Sequence, residues 1–218
     1  MTKTIIAPSI LSADFGNLEN DLKKIEESPA EWIHIDVMDG SFVPRITFGT
    51  NMVETAAKNC NKYLDTHLMI DNPAKHIKDF ANAGSHNLTI HLEASRDPEA
   101  DLKAIKAAGM SAGLSIKPDT PAEEAFPYLG LCDLFLVMTV NPGWSGQSFI
   151  SDELNKISAI RVELNKLNSS CRVQVDGGVN AETGKQCVDA GADILVSGSY
   201  LFSSVDFNKT VEGLSNLG

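Results

Sequence analysis

The sequence predicts an α/β fold, a single (β/α)8 barrel over residues 1–218, and three observations predict it. About eight apolar, β-rich runs alternate with helical segments, with no long linker between them. A helix, Ala-Gly, strand unit recurs at Ala83-Gly84, Ala108-Gly109 and Ala190-Gly191, with glycine where a helix ends in a left-handed turn. Polar side chains gather at the ends of several runs, where active sites of parallel α/β barrels sit. A doubly wound open sheet competes, but the G-x-G-x-x-G that should follow its first strand is missing.

In order, the candidate strands cover residues 5–11, 32–37, 63–69, 88–91, 111–116, 134–140, 172–175 and 194–197, each followed by a helix candidate. Asn72-Pro73 and Asp97-Pro98 put a capping residue before a proline at the first helical position. Thr120-Pro121-Ala122-Glu123 reads as a capping box. A chain of 218 residues with 43% hydrophobic composition can bury one barrel core.

Charge and cysteine content exclude several classes of partner. Eighteen basic residues against 29 acidic ones give a net charge of −11, which argues against a nucleic-acid or anionic-membrane surface. Any phosphate must then be gripped locally. Cys60, Cys132, Cys171 and Cys187 are scattered and form no C-x-x-C pair, so neither a zinc knuckle nor a disulfide framework is expected and the cytoplasm is the natural compartment. The opening from Met1 to Pro8 has no apolar run of signal-peptide length, and no stretch approaches a membrane span.

Four metal-capable side chains, His34, Asp36, His67 and Asp176, each lie near the end of a β-rich run. Strand alternation puts His34, Asp36 and Met38 on one face and Ile33, Ile35 and Val37 on the other, and pairs His67 with Met69. Asp176 precedes Gly177-Gly178, where backbone can approach a ligand closely. Singly each is an ordinary residue; together, two imidazoles and two carboxylates suit one divalent cation.

The run from Asn141 to Gln147, the triplet Asp176-Gly177-Gly178, and Gly198-Ser199 follow candidate strands six, seven and eight. In barrels of this kind, loops after the last two strands commonly hold a phosphate on backbone N–H groups. Met38, Met69 and Met138 also sit at strand ends. Core filling is their usual use, yet beside an anionic intermediate a thioether offers packing without a proton to donate. His76 and His86 read as surface residues, whereas His91, ending a strand just before Glu93, stands where it could face the site. Lys117 raises Schiff-base chemistry, for which nothing nearby provides support.

The segments Ala7-Pro8-Ser9-Ile10-Leu11-Ser12-Ala13-Asp14-Phe15, His34-Ile35-Asp36-Val37-Met38-Asp39-Gly40, Asp65-Thr66-His67-Leu68-Met69, Met138-Thr139-Val140-Asn141-Pro142-Gly143 and Val175-Asp176-Gly177-Gly178-Val179 resemble those of the ribulose-phosphate 3-epimerases, in order and over nearly the whole chain. The resemblance implies a TIM barrel of the ribulose-phosphate-binding type. It would interconvert D-ribulose 5-phosphate and D-xylulose 5-phosphate, in the pentose phosphate pathway, through a metal-stabilised enediolate. It implies His34, Asp36, His67 and Asp176 as ligands of one divalent ion (zinc, iron, manganese or cobalt), with Asp36 and Asp176 also the acid/base pair. Ser9, His67 and the three strand-end methionines fall near the substrate. Gly177, Gly178, Gly198 and Ser199 match the phosphate loops, and Gly143, Trp144, Ser145 and Gly146 the segment that covers the substrate. A small phosphorylated ketopentose is the implied partner, and homo-oligomers are common in the family.

Inverting a carbon beside a ketone needs two acid/base groups on opposite faces. If the carbon acid lies roughly ten pKa units above a carboxylate, the deficit is about 14 kcal/mol, which a divalent ion acting as Lewis acid would offset. Ser41, Arg45 and Trp144-Ser145 depart from the family pattern and leave the second loop and the cover open. Two alternatives remain: an allulose-6-phosphate 3-epimerase using the same ligands, and a non-catalytic metal-binding barrel that would leave the facing aspartates unused. A phosphate-barrel decarboxylase would want a lysine beside the strand-end aspartate, which His34-Ile35-Asp36 does not offer.

Overall fold

A computed structural model describes residues 3–218; Met1 and Thr2, part of the opening segment read for export signals, lie outside it. Eight parallel strands form one sheet: β1 (Ile5–Pro8), β2 (Trp32–Met38), β3 (Tyr63–Met69), β4 (Asn87–His91), β5 (Ser111–Ile116), β6 (Leu134–Met138), β7 (Arg172–Asp176) and β8 (Ile194–Ser197). Their order is β1-β8-β7-β6-β5-β4-β3-β2, and a parallel bridge between Ser9 and His34 brings β1 against β2. The helices are α1 (Leu18–Glu26), α2 (Thr50–Asn59), α3 (Ile77–Ala83), α4 (Pro98–Ala107), α5 (Glu153–Lys166), α6 (Ala181–Ala190), α7 (Ser199–Phe202) and α8 (Phe207–Ser215).

The period-2 pattern of the strands divides the core into two layers. Ile33, Ile35 and Val37 of β2, with Leu64 and Leu68 of β3, share an outer core with Leu22 and Ile25 of α1 and Val53 of α2. Burying each such side chain contributes about 1.5–3 kcal/mol. The alternate residues of β1, β6 and β8, including Ala7, Leu134, Leu136, Ile194 and Val196, form a separate apolar cluster. The corresponding positions of β2, β3, β4 and β7 are polar: His34, Asp65, Asn87 and Gln174 are all fully buried. This half-polar interior supports the site.

Apart from strand ends one or two residues off, such as β6 stopping at Met138 and not at Val140, the fold departs from the sequence reading at four places. The first strand stops at Pro8, because the Ser9 hydroxyl accepts the Leu11 N–H at 3.3 Å and starts a 3₁₀ turn, Ile10–Ser12. No α-helix follows β5; two 3₁₀ turns, Ala122–Glu124 and Phe126–Leu131, stand in its place, where Pro121 and Pro127 remove backbone donors. Thr120 forms no capping box and instead donates to Glu93. Asn72 is left-handed with no capping bond, whereas Asp97 accepts the Ala100 N–H at 3.1 Å. Among the described residues, no helix is long and apolar enough to cross a membrane.

Candidate active site and metal centre

Strands β2, β3 and β7 deliver four side chains to one point. One donor atom from each of His34, Asp36, His67 and Asp176 can be chosen so that all lie within 4.8 Å of one another. Nε2 of His34 is 3.2 Å from Oδ1 of Asp36 and 4.0 Å from Oδ2 of Asp176. Nδ1 of His67 approaches the same Asp36 oxygen at 3.3 Å. Register explains the convergence: Asp36 pairs with His67 across β2 and β3, and both are inward positions.

A ring of neighbours fixes these groups. Nδ1 of His34 lies 2.7 Å from Oδ2 of Asp65, which also accepts from Gln174 Nε2 at 2.6 Å, while the other Asp65 oxygen accepts from Asn87 Nδ2 at 2.7 Å. Asp65 is fully buried, and three donors satisfy its charge. Ser9 donates its hydroxyl to Oδ2 of Asp36 at 2.6 Å. Thr47, on the loop after β2, donates to the Asp36 carbonyl at 2.7 Å and accepts the Met38 N–H at 3.0 Å, tying the loop to the strand end.

The two site aspartates are driven apart electrostatically. Burial raises the pKa of Asp36, but charge and hydrogen bonds from His34 and His67 outweigh it and hold the carboxyl far below its ordinary range. Asp176 is pushed up to about 7 by burial and by the negative charge of Asp36, against an opposing pull from His34. Burial disfavours charge on His34, yet Asp36 and Asp65 raise its pKa well above the usual imidazole value. Burial lowers that of His67. One carboxylate is ionised and its neighbour retains a proton near neutrality, the split that acid/base pairs require.

The site opens into a cavity of about 300 Å³ lined by Ser9, Asp36, Met38, Met69, Met138, Asp176 and the loops after β6, β7 and β8. Gly143, Trp144, Ser145, Gly146, Gly177, Gly178, Gly198 and Ser199 all border it. A Cβ on Gly177 would stand 2.5 Å from Val140 Cγ2, and one on Gly178 would stand 2.8 Å from the Phe149 nitrogen; both glycines have positive φ. The backbone therefore turns beside the cavity in a shape that larger residues disrupt. Gln147 secures the covering loop by donating to the carbonyls of Asn141 at 2.6 Å and Trp144 at 3.0 Å.

The ring of His67 is fully buried beside Asp36, where it can serve as a ligand. Asp65, Asn87, Gln174 and the anchoring role of Gln147 were not singled out by the sequence. For Asp65 the signal was present, since it shares the inward face of His67 and Met69. His91 proves to lie beside the site, Nε2 to Nε2 with His67 at 2.9 Å. Arg45 is exposed on the loop after β2.

Fold and site together define a (β/α)8 barrel with a two-carboxylate, two-imidazole cluster at the C-terminal ends of its strands. Residues 5–202 match the model of the ribulose-phosphate 3 epimerase family, and the chain belongs to that family. It is 41% identical to the ribulose-phosphate 3-epimerase of Synechocystis sp., over 99% of this chain and 95% of that one. It is 40% identical to the cytoplasmic isoform of ribulose-phosphate 3-epimerase from Oryza sativa subsp. japonica, covering 97% and 96%. Among solved structures, 3-keto-L-gulonate-6-phosphate decarboxylase from Vibrio cholerae shares the barrel with a TM-score of 0.73, covering 99% of this chain and 97% of that one at 14% identity.

Proposed function

We propose that residues 1–218 act as one catalytic domain that interconverts D-ribulose 5-phosphate and D-xylulose 5-phosphate by inverting C3. One observation carries the reading: Asp36 and Asp176 border the same cavity with opposite protonation preferences. Asp36, ionised, is the base that takes the C3 proton on one face; Asp176, protonated, is the acid that returns a proton on the other. The roles exchange in the reverse direction.

The donor set fits a divalent cation. Four N and O atoms lie within 4.8 Å of one another, and Asp65 engages the remaining nitrogen of His34 in the carboxylate–histidine arrangement common around bound metals. Such ligands accept zinc, iron, manganese or cobalt, with availability deciding among them. When bound, the ion supplies Lewis-acid stabilisation of the negative charge that develops on the substrate oxygens.

The chain's own residues do the rest. Ser9 orients Asp36 and favours its ionised form by donating to it. Met38, Met69 and Met138 wall the cavity with side chains that have no proton to give up. Among the described residues lining the cavity none is Lys or Arg. The substrate phosphate is therefore assigned to the backbone of Gly177 and Gly178 after β7 and of Gly198 and Ser199 at the start of α7. Gly143 to Gly146 close over the sugar and exclude water.

The setting proposed for this activity is the pentose phosphate pathway, in the cytoplasm, the compartment that the name of the Oryza relative carries. Assembly as a homo-oligomer is proposed through the loop after β2, where Ile46 is 78% exposed beside Arg45. The activity is tested by ¹³C NMR of the metal-replete protein with ribulose 5-phosphate and, separately, allulose 6-phosphate. Conversion of the pentose to xylulose 5-phosphate is expected; turnover of the hexose alone would reassign the substrate, and inertness towards both would refute the enzymatic reading.

A further inference from the structure

A hydrogen-bonded arm leaves the centre towards the end of β4. Nδ1 of His67 faces Asp36, and its Nε2 lies 2.9 Å from Nε2 of His91. Nδ1 of His91 in turn lies 3.3 Å from Oε2 of Glu93. Both imidazoles are fully buried, so their nitrogens must find partners within the protein. Glu93 is fixed at its other oxygen, which accepts the Lys117 N–H at 2.7 Å and the Thr120 hydroxyl. The ring of Phe42 lies against His91, centroids 4.8 Å apart, and the Lys117 ammonium sits 3.6 Å over the Phe42 ring.

Between the two Nε2 atoms a single proton is shared, and the ends of the arm decide which ring carries it. An ionised carboxylate only accepts, and one stands at each end of the arm, Asp36 beside Nδ1 of His67 and Glu93 beside Nδ1 of His91; a cation held between Asp36 and His67 takes the first out of the competition. His91 therefore puts its proton on Nδ1, towards Glu93, and presents a lone pair at Nε2, into which His67 donates. A neutral imidazole has one N–H, so Nδ1 of His67 is left bare on the side facing Asp36, and a bare nitrogen is what a metal takes. The opposite arrangement would set a lone pair of His91 against the Glu93 carboxylate and a proton of His67 where the cation belongs.

We propose that His91, held by Glu93, is a positioning residue that fixes the tautomer of His67 and so presents Nδ1 of His67 to a divalent cation. The proposal rests on the metal reading above and extends it to a residue of β4, a strand that contributes nothing to the cavity wall. His34 has its carboxylate directly in Asp65; His67 reaches one only through a second ring.

Long-range ¹H–¹⁵N NMR of the zinc-loaded wild-type protein reads the arm without any substitution. His91 is expected to carry its proton on Nδ1 with Nε2 bare, and a His91 protonated on Nε2 instead overturns the proposal, even where a variant does not fold. Zinc affinity, measured by competition with a chromophoric chelator, gives the second readout, with thermal unfolding of the metal-free forms as control. His91→Phe is expected to lower affinity about 10- to 100-fold, and His91→Gln, whose amide oxygen can accept in place of Nε2, to stay within about threefold of wild type. Equal affinity in His91→Phe and wild type overturns the proposal and leaves the metal reading standing; a wild-type protein that binds no zinc overturns both.

Discussion

Ser9 donates to Oδ2 of Asp36 at 2.6 Å across the seam where β1 meets β2, so the residue that closes the barrel also orients the proposed base. Hydrogen bonds to a charged group contribute about 1.5–3 kcal/mol. Ser9→Ala is accordingly expected to lower kcat/KM about 10- to 100-fold, with the loss chiefly in kcat. Steady-state kinetics at pH 7.5 check it, and an unchanged kcat would free Asp36 from dependence on Ser9.

Metal binding is expected to release protons in a number set by the site. At pH 6 Asp36 is already ionised and Asp176 (about 7) keeps the proton it needs as the acid, whereas His34, well above the ordinary imidazole value, holds a proton that a cation must displace. Release of about one proton per ion follows, with affinity falling as pH drops further below the raised His34 value. Calorimetry in buffers of different ionisation enthalpy counts them; release of none would contradict the charge assignment.

The same groups set the stability of the metal-free chain. Asp176 and His34 have folded-state pKa values raised above their unfolded ones, so their contributions are fully present below the unfolded values and are lost as pH rises through the folded values. For Asp176 the loss runs from the ordinary carboxylate range to about pH 7 and continues no further. The metal-free protein is expected to melt lower at pH 8 than at pH 5 relative to Asp176→Asn, in which the carboxyl no longer titrates. Parallel melting curves for the two proteins across that range would contradict it.

Gly178→Ala places a methyl group 2.8 Å from the Phe149 backbone at a position with φ of +64°. Holding a residue with a Cβ in a sparsely populated conformation costs on the order of 1–3 kcal/mol, and relief requires the loop to move from the proposed phosphate site. A rise in KM of about tenfold or more is expected, roughly 1.4 kcal/mol of lost binding. Wild-type KM in the variant would take the phosphate away from this loop.

The inward residues of β2, β3 and β7 were legible because strand period alone sorts them: His34 with Asp36, His67 with Met69, Asp176 at the strand end. What escaped depended on contacts far apart in the chain. Gln174 reaches Asp65 across 109 positions, and Thr120, a plausible helix cap by spacing, is captured by Glu93 on the neighbouring strand end. Apolar pattern carries the first strand on to Leu11, because Ile10 and Leu11 look like strand residues. Their backbone is diverted by the Ser9 hydroxyl, a local bond that apolar periodicity does not report.

The central claim, proton transfer at C3 between Asp36 and Asp176, is tested most directly by following ribulose 5-phosphate in heavy water by NMR. Wild type, Asp36→Asn and Asp176→Asn are compared, and wild type is repeated with a chelator. The account predicts deuterium at C3 of the xylulose 5-phosphate formed by wild type, loss of that conversion on chelation, and conversion reduced by at least about 100-fold in each variant. Near-normal conversion in either variant, or xylulose 5-phosphate formed without solvent deuterium, would contradict it.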